Sequence, residues 1–387
     1  MADNSVEKVN AFKKWIIGTI GIFAVMVIIA SALVIITDPF FHFHKPITKY
    51  RLNNERYIND GIARHFEYDA IITGNSLTEN FKVSEYDELF EVNAIKLPYS
   101  GADTVELWQA LGRAIGRNAT DMSAVADKIS SEYRYKYDKQ QGYNDSVRNV
   151  LTCLYIEDIM REDYWSGYEG APEYLYDDDP INDIKYILNK DVLYRGTFFN
   201  ILLTLRGGDS TSFDEYCAWE RSSGYKQAVA SLDRIEYRNP EDDRIMSEYD
   251  ETVIDNCLDH NVIPVIEANP DTEFTFFFPP FSIAKWADYY NEGKVEYTID
   301  CMAHIIDRLV GYDNVKIFGF DDEYELATDL SRYCDTIHYD ADVNSWILTQ
   351  IAADRHLITE DNKAAYTDTL KEYYVNYDYT GLNEYME

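Results

Sequence analysis

"YDAIITGNSLTENF", residues 68–81, decides how the rest of this chain is read. Its apolar run, 69–73 with Asp69 as the only charge, is short and rich in β-branched residues, and it passes directly into Gly74-Asn75-Ser76. A run of this kind bounded by turn residues reads as a buried strand. The polar stretch after it has helical character, so a strand–turn–helix unit with Ser76 at its tip is expected. Two readings of Ser76 fit the residues. Its hydroxyl can cap the helix, because Glu79 three positions on completes an S-x-x-E capping box. Alternatively Ser76 is a nucleophile lifted above the carboxyl end of the strand, with Gly74 permitting the sharp turn.

Four further apolar segments repeat the strand signal: 94–97, 150–156, 274–278 ("FTFFF", stopped by Pro279-Pro280) and 315–320. Amphipathic helical stretches lie between them, notably 104–114 and the long region 283–309. "NVIPVIEANP" (261–270) reads as a helix opened by Pro264 and closed before Pro270. Short continuous apolar strands alternating with helices predict an α/β fold, a three-layer parallel sheet flanked by helices and flavodoxin-like in outline. The main domain is expected over 68–369, after a connector at 38–67. Residues 158–240 break the alternation and read as a long insertion over the carboxyl edge of the sheet. Residues 370–387 read as a polar, Tyr-rich C-terminal tail.

Residues 15–37, "WIIGTIGIFAVMVIIASALVIIT", carry no charge and exceed the ~20 residues that cross a hydrocarbon core. Lys8, Lys13 and Lys14 precede the run and Asp38 follows it. The positive-inside bias then places residues 1–14 in the cytoplasm and the body outside. A cleaved signal peptide is the competing reading, since Ala30-Ser31-Ala32 has small residues in the right spacing. The apolar run continues through Leu33, Val34, Ile35 and Ile36, as an uncleaved single-pass anchor does. His42 and His44, just beyond it, read as membrane-interface residues.

Composition removes several function classes. The 387 residues are 46% hydrophobic and carry 69 acidic against 35 basic residues, net −34. A chain this acidic lacks the clustered cations that nucleic acid requires. Neither a P-loop nor a strand-linked Gly-x-Gly-x-x-Gly occurs. The five cysteines have no metal or disulfide spacing. The 33 tyrosines suit half-buried packing faces or stacking on sugar rings. Asp177-Asp178-Asp179 lacks calcium-loop spacing and reads as a solvated acidic turn; His356 and Glu360 read as structural. No metal or organic cofactor is called for.

Far downstream, "YCDTIHYDADVN" holds Asp335 and His338 three residues apart. A serine hydroxyl needs a histidine base, and that histidine needs an acid to set its tautomer. Asp335 can instead cap the helix that follows, and His338 can be an ordinary surface histidine. A Gly-Asn-Ser after the first strand and a C-terminal Asp-x-x-His resemble the terminal blocks of the SGNH (GDSL-like) hydrolases. With one N-terminal anchor before the body, the chain looks like the membrane-anchored DltD- and AlgJ/AlgX-like branch, which acylates cell-envelope polymers. The resemblance spans 69–101 and 274–338. It implies Ser76 as nucleophile, His338 as base and Asp335 as orienting acid. It further implies that Gly101, in "LPYSGAD", joins the Ser76 N–H in an oxyanion hole. Asn75 stands where the family commonly has Asp and joins the oxyanion candidates. Asn144, in "GYND" (142–145), matches the third block only if the third strand is 132–137; otherwise the match is accidental.

An extracytoplasmic serine esterase or O-acyltransferase acting on an envelope polysaccharide or teichoic-type polymer is therefore expected. The resemblance adds a membrane O-acyltransferase partner. The rival expectations are a non-catalytic glycan-binding or assembly subunit of the same fold, and an anchor protein without a cleft.

Overall fold

The computed structural model describes residues 2–116, 142–161, 172–176, 179–239 and 242–386. The alternative third strand at 132–137 lies outside these residues, as do Asp177 and Asp178. The chain divides into two compact parts, one of residues 1–51 with 172–211 and one of 52–171 with 212–387.

The larger part is an α/β body built on one six-stranded mixed sheet. Its strands are β1 (Ala70–Gly74), β2 (Ala94–Pro98), β3 (Asn149–Cys153), β4 (Glu273–Phe278), β5 (Val315–Gly319) and β6 (Leu357–Ile358). They lie in the order β2-β1-β3-β4-β5-β6. Strands β1 to β5 are parallel, and β6 closes the edge antiparallel, pairing Ile317 with Ile358 and Phe318 with Leu357. The five parallel strands coincide with the five apolar segments of the sequence. The two-residue β6 was not expected, because it is too short to carry a period and exists only through its pairing with β5.

Both faces of the sheet are covered. Trp108, from the helix Thr104–Ala114, lies 6.3 Å from the Phe274 ring and 5.8 Å from Phe276. Phe277 points the opposite way and meets Phe81 edge-on at 5.6 Å. Alternation along β4 thus puts aromatic residues into two cores at once, which explains why "FTFFF" is apolar at nearly every position. The region 283–309 is two helices, Ile283–Asn291 and Val295–Leu309. Gly293 at φ +67° makes the break, a conformation glycine tolerates without a Cβ penalty.

The C-terminal residues are not a loose tail. They form the helix Lys363–Tyr374 and the 3-10 segment Tyr379–Tyr385. Tyr374 is fully buried and stacks on Trp286 at 3.9 Å, and its hydroxyl donates to the Asp321 carbonyl. A Tyr-rich stretch looks polar residue by residue, yet Tyr374 and Tyr379 bury their rings while their hydroxyls donate to the carbonyls of Asp321 and Tyr374.

The smaller part contains the N-terminal helix Ala2–Thr37. Its segment Lys8–Thr37 is long and apolar enough to cross a membrane, with mean hydropathy 2.9. His42 is buried, its Nε2 2.7 Å from the Asp183 carboxylate, and His44 Nε2 lies 2.9 Å from the Ile35 carbonyl.

Candidate functional site

In an open parallel sheet, ligands bind beyond the carboxyl ends of the strands where strand order reverses. Here the chain steps from β1 outward to β2 and returns to the other side of β1 as β3, so the reversal lies between β1 and β3. Ser76 is two residues past the end of β1.

The turn that carries Ser76 is built by its neighbours. Gly74 has φ +141°, and a Cβ there would sit 2.6 Å from Thr78 Cγ2. The chain then makes a single 3-10 turn, Ser76–Thr78. Its cap is Asn75, whose Oδ1 accepts the Leu77 N–H at 3.1 Å. The Ser76 hydroxyl is therefore not spent on capping. Two supports were not visible in the sequence. Lys96, fully buried on β2, donates from Nζ to the carbonyls of Glu79 (2.7 Å) and Phe81 (3.1 Å) and so pins the exit of the turn. Burial lowers its pKa to about 8. Cys153, at the end of β3, donates its thiol to Asn75 Oδ1 at 3.4 Å. Burial pushes that thiol up to about 12, so it keeps its proton.

Asp335 and His338 sit on a tight loop, not a helical turn. An antiparallel bridge between Tyr333 and Tyr339 closes it, and the Cys334 N–H donates to the His338 carbonyl at 2.8 Å. Tyr333 Oη donates to the Pro280 carbonyl, and Ser282 Oγ donates to the Thr336 carbonyl at 2.6 Å. These bonds tie the loop to the chain leaving β4. The following helix Ala341–Ala352 is capped by Asp340, which leaves Asp335 free of that duty.

Ser76 Oγ lies 2.7 Å from His338 Nε2. His338 Nδ1 lies 2.8 Å from Asp335 Oδ2 and 2.9 Å from Oδ1. The Asp335 carboxylate also accepts the backbone N–H groups of Ile337 (3.0 Å) and His338 (2.8 Å). Burial alone would raise its pKa, but these hydrogen bonds outweigh burial and lower it to about 2. An ionised carboxylate only accepts, so Nδ1 carries the ring proton and Nε2 presents its lone pair to the serine O–H. That polarity lets Nε2 take the hydroxyl proton as Oγ attacks an electrophilic carbonyl.

Residues of the insertion flank the loop. Trp219 meets the His338 ring edge-on at 5.5 Å, and its backbone N–H donates to Asn80 Oδ1. The Arg221 guanidinium stacks over Trp219 at 4.9 Å and reaches Asp335 Oδ2 at 3.5 Å. Glu79 is buried near His338, and its pKa is raised by desolvation against a hydrogen bond with Ser100.

The oxyanion candidates separate. Gly101, at φ +63°, is exposed in the loop after β2, at the same edge as Ser76. Asn75 adjoins the nucleophile position. Asn144 lies at the opposite edge, before β3. Its Nδ2 donates to the Tyr68 carbonyl just ahead of β1, and its Oδ1 accepts the Ser146 N–H. "GYND" thus serves an amino-edge turn, since the third strand begins only at Asn149. His356 lies apart, paired with Asp322 (3.0 Å) and Glu323 (3.2 Å) beyond β5. A separate cleft of ≈ 550 Å³, lined by Glu157, Arg161, Arg244, Tyr249, Tyr289 and Lys294 among others, includes none of Ser76, Asp335 and His338. No protein-family model, no curated protein and no solved structure matches this chain.

Proposed function

We propose that the chain is a membrane-anchored serine acyl-ester enzyme whose body stands outside the cytoplasm. It is an esterase or O-acyltransferase acting on a cell-envelope polysaccharide or teichoic-type polymer. The observation that carries this reading is the hydrogen-bonded chain Ser76 Oγ, His338 Nε2, His338 Nδ1, Asp335 at the carboxyl edge of β1. In the mechanism, Ser76 Oγ attacks the acyl carbonyl carbon while Nε2 takes its proton. The tetrahedral oxyanion is held by the N–H groups of Ser76 and Gly101, with the Asn75 amide beside them. Collapse expels the alcohol, which recovers the proton from Nε2. A sugar hydroxyl or water, deprotonated by the same nitrogen, then releases the acyl group from Oγ.

The resemblance to the SGNH hydrolases supports the reaction class and adds a membrane O-acyltransferase as partner. The three lysines before the charge-free run 15–37 support the orientation. A net charge of −34 repels polyanions, so within the polymer class an uncharged or cation-bearing chain is favoured. One observation favours a second reading: Asn144 lies at the opposite edge of the sheet, so among the described residues the third-block match brings no asparagine to the site. The second reading is a glycan-binding subunit of the same fold without catalysis.

Labelling the full-length chain with a fluorophosphonate separates the two. The enzyme reading expects labelling of the wild type at Ser76, and none in Ser76→Ala or His338→Ala. A folded wild-type chain that fails to label would overturn it in favour of the binding subunit.

A further inference from the structure

The smaller part of the chain carries an apolar surface that the proposed chemistry does not use. Beyond the N-terminal helix, its exposed residues include Ile47 (65% exposed), Ile181 (83%), Ile184 (52%), Leu188 (56%), Tyr194 (67%) and Leu205 (79%). Phe198 and Phe199 are also exposed, and Tyr194 and Phe198 stack at 6.0 Å. Exposed apolar surface of this extent marks an interaction site. The stretch Val192–Leu205 is an apolar helical segment that leaves large apolar side chains outside. It buries Val192 together with Gly196, Thr197 (1% exposed) and Asn200 (3%), while Tyr194, Phe198, Phe199 and Leu205 are exposed. A helix bathed in water keeps such large apolar side chains inward.

This surface is fastened to the exit of the N-terminal helix. Thr37 Oγ1 donates to Thr197 Oγ1 at 2.9 Å. Gly196 lies so close to Pro39 that a Cβ would come within 2.7 Å of its ring. Tyr186 Oη donates to Asp38 Oδ1 at 2.8 Å and accepts the Phe40 N–H at 3.1 Å. The apolar patch is therefore continuous with the end of the apolar helix. At ~1.5 Å per residue, Val192–Leu205 is about 21 Å long, shorter than the ~30 Å hydrocarbon core. It is too short to cross and has the length to lie along the boundary. Between residues 181 and 206 the cations Lys185, Lys190, Arg195 and Arg206 outnumber the acids Asp183 and Asp191, in a chain that is otherwise strongly acidic. Outward aromatic rings bordered by cations are the composition of interfacial segments.

We infer that residues 181–205 form an interfacial foot that lies in the lipid headgroup boundary and binds the membrane surface beside the anchor. The inference rests on the reading of residues 15–37 as a membrane span. With helix and foot both engaged, the smaller part has two attachments to the bilayer, which restricts its tilt as a single helix cannot.

The test uses the full-length chain in mixed phosphatidylcholine and phosphatidylglycerol vesicles, with Cys217 and Cys334 replaced by serine. Nitroxide labels go singly on Leu205→Cys, on Met26→Cys as the anchor reference and on Ile245→Cys as the water reference. Collision with oxygen, relative to collision with a water-soluble nickel complex, should be several-fold higher at 205 than at 245 and close to that at 26. A water-like value at 205 with a lipid-like value at 26 would overturn the foot and leave the anchor. A water-like value at both would overturn the membrane reading and the foot with it. A label at 205 shielded from both reagents would overturn the lipid assignment in favour of a protein partner or a second copy.

Discussion

Replacing Asp335 by Asn changes one atom and should reverse the polarity of the whole hydrogen-bonded chain. The carboxylate accepts from His338 Nδ1 and from the backbone N–H groups of Ile337 and His338. An asparagine can keep its Oδ1 toward the two backbone donors, and its Nδ2 then faces Nδ1. Two donors cannot face one another, so the ring moves its proton to Nε2 and donates to Ser76 instead of accepting. The nucleophile loses its base. The expected loss is ~10³–10⁴-fold in acylation rate, about 4–5.5 kcal/mol of barrier. The cost to folding is smaller. A carboxylate held at a pKa of about 2 instead of an ordinary ~3.9 gains at most about 2.5 kcal/mol. With a third of the side chain open to solvent, the realised value is below that. The assay is the second-order rate of fluorophosphonate labelling near neutral pH, with urea unfolding run in parallel. A folded Asp335→Asn chain that labels within tenfold of wild type would refute the tautomer argument. The wild-type fold should also lose this contribution only in acid. The unfolded carboxylate already takes up protons near its ordinary pKa, and the folded one does so only near 2, so the loss falls between those values.

Other perturbations have equally definite expectations. Ser76→Ala should abolish labelling while shifting stability by less than about 1 kcal/mol, because Asn75 holds the cap; a larger loss in urea titration would return Ser76 to a structural role. Asn75→Ala should cost about 1 kcal/mol through that same cap, again read by urea titration, and should slow labelling as well. Gly74→Ala places a Cβ 2.6 Å from Thr78 Cγ2 at φ +141°, so it should destabilise by ~2 kcal/mol or more. A variant as stable as wild type would show that the turn relaxes freely. Lys96, with a folded pKa of about 8 against ~10.4 unfolded, binds fewer protons folded than unfolded between those values. Stability should therefore rise with pH across that window, by up to about 3 kcal/mol, and Lys96→Met should flatten the rise in denaturation at pH 8 and 10.

The parallel strands were legible because a strand buried on both faces leaves an unmistakable apolar run. The reversal of strand order at β1 was not, since pairing order is written in no local stretch. Ser76, Asp335 and His338 were legible as residue types in a given order. Their competing roles as helix caps were equally legible, and the neighbours resolved them: Asn75 caps one turn and Asp340 the next helix. The match at Asn144 stayed ambiguous in the sequence because "GYND" is a short word that an ordinary turn also spells, and its side chain serves such a turn. Trp219 and Arg221 could not have been found, for they reach His338 and Asp335 across more than a hundred residues. The proposed foot at 181–205 lies inside an insertion rich in acids and tyrosines, and which of its apolar residues face outward is not written in their order.

Lys96 gave no signal at all, and it carries the argument furthest. A lysine in the middle of a buried strand is the least expected residue for stability, since its ammonium must leave water for two carbonyl partners. Met or Leu would fill the same volume with no such penalty. Yet Lys96 fastens the carbonyls of Glu79 and Phe81, which close the turn after Ser76. The same few residues also contain Gly74 at φ +141° and a buried Asn75 that accepts from a thiol. The buried ammonium is the costly choice among them, whereas Gly74 and Asn75 suit the backbone of the turn, and all three converge on the geometry of one hydroxyl. A costly buried charge devoted to one turn is what the proposed catalytic site would ask of its surrounding core. A turn that only connects β1 to its helix would have no need of the lysine.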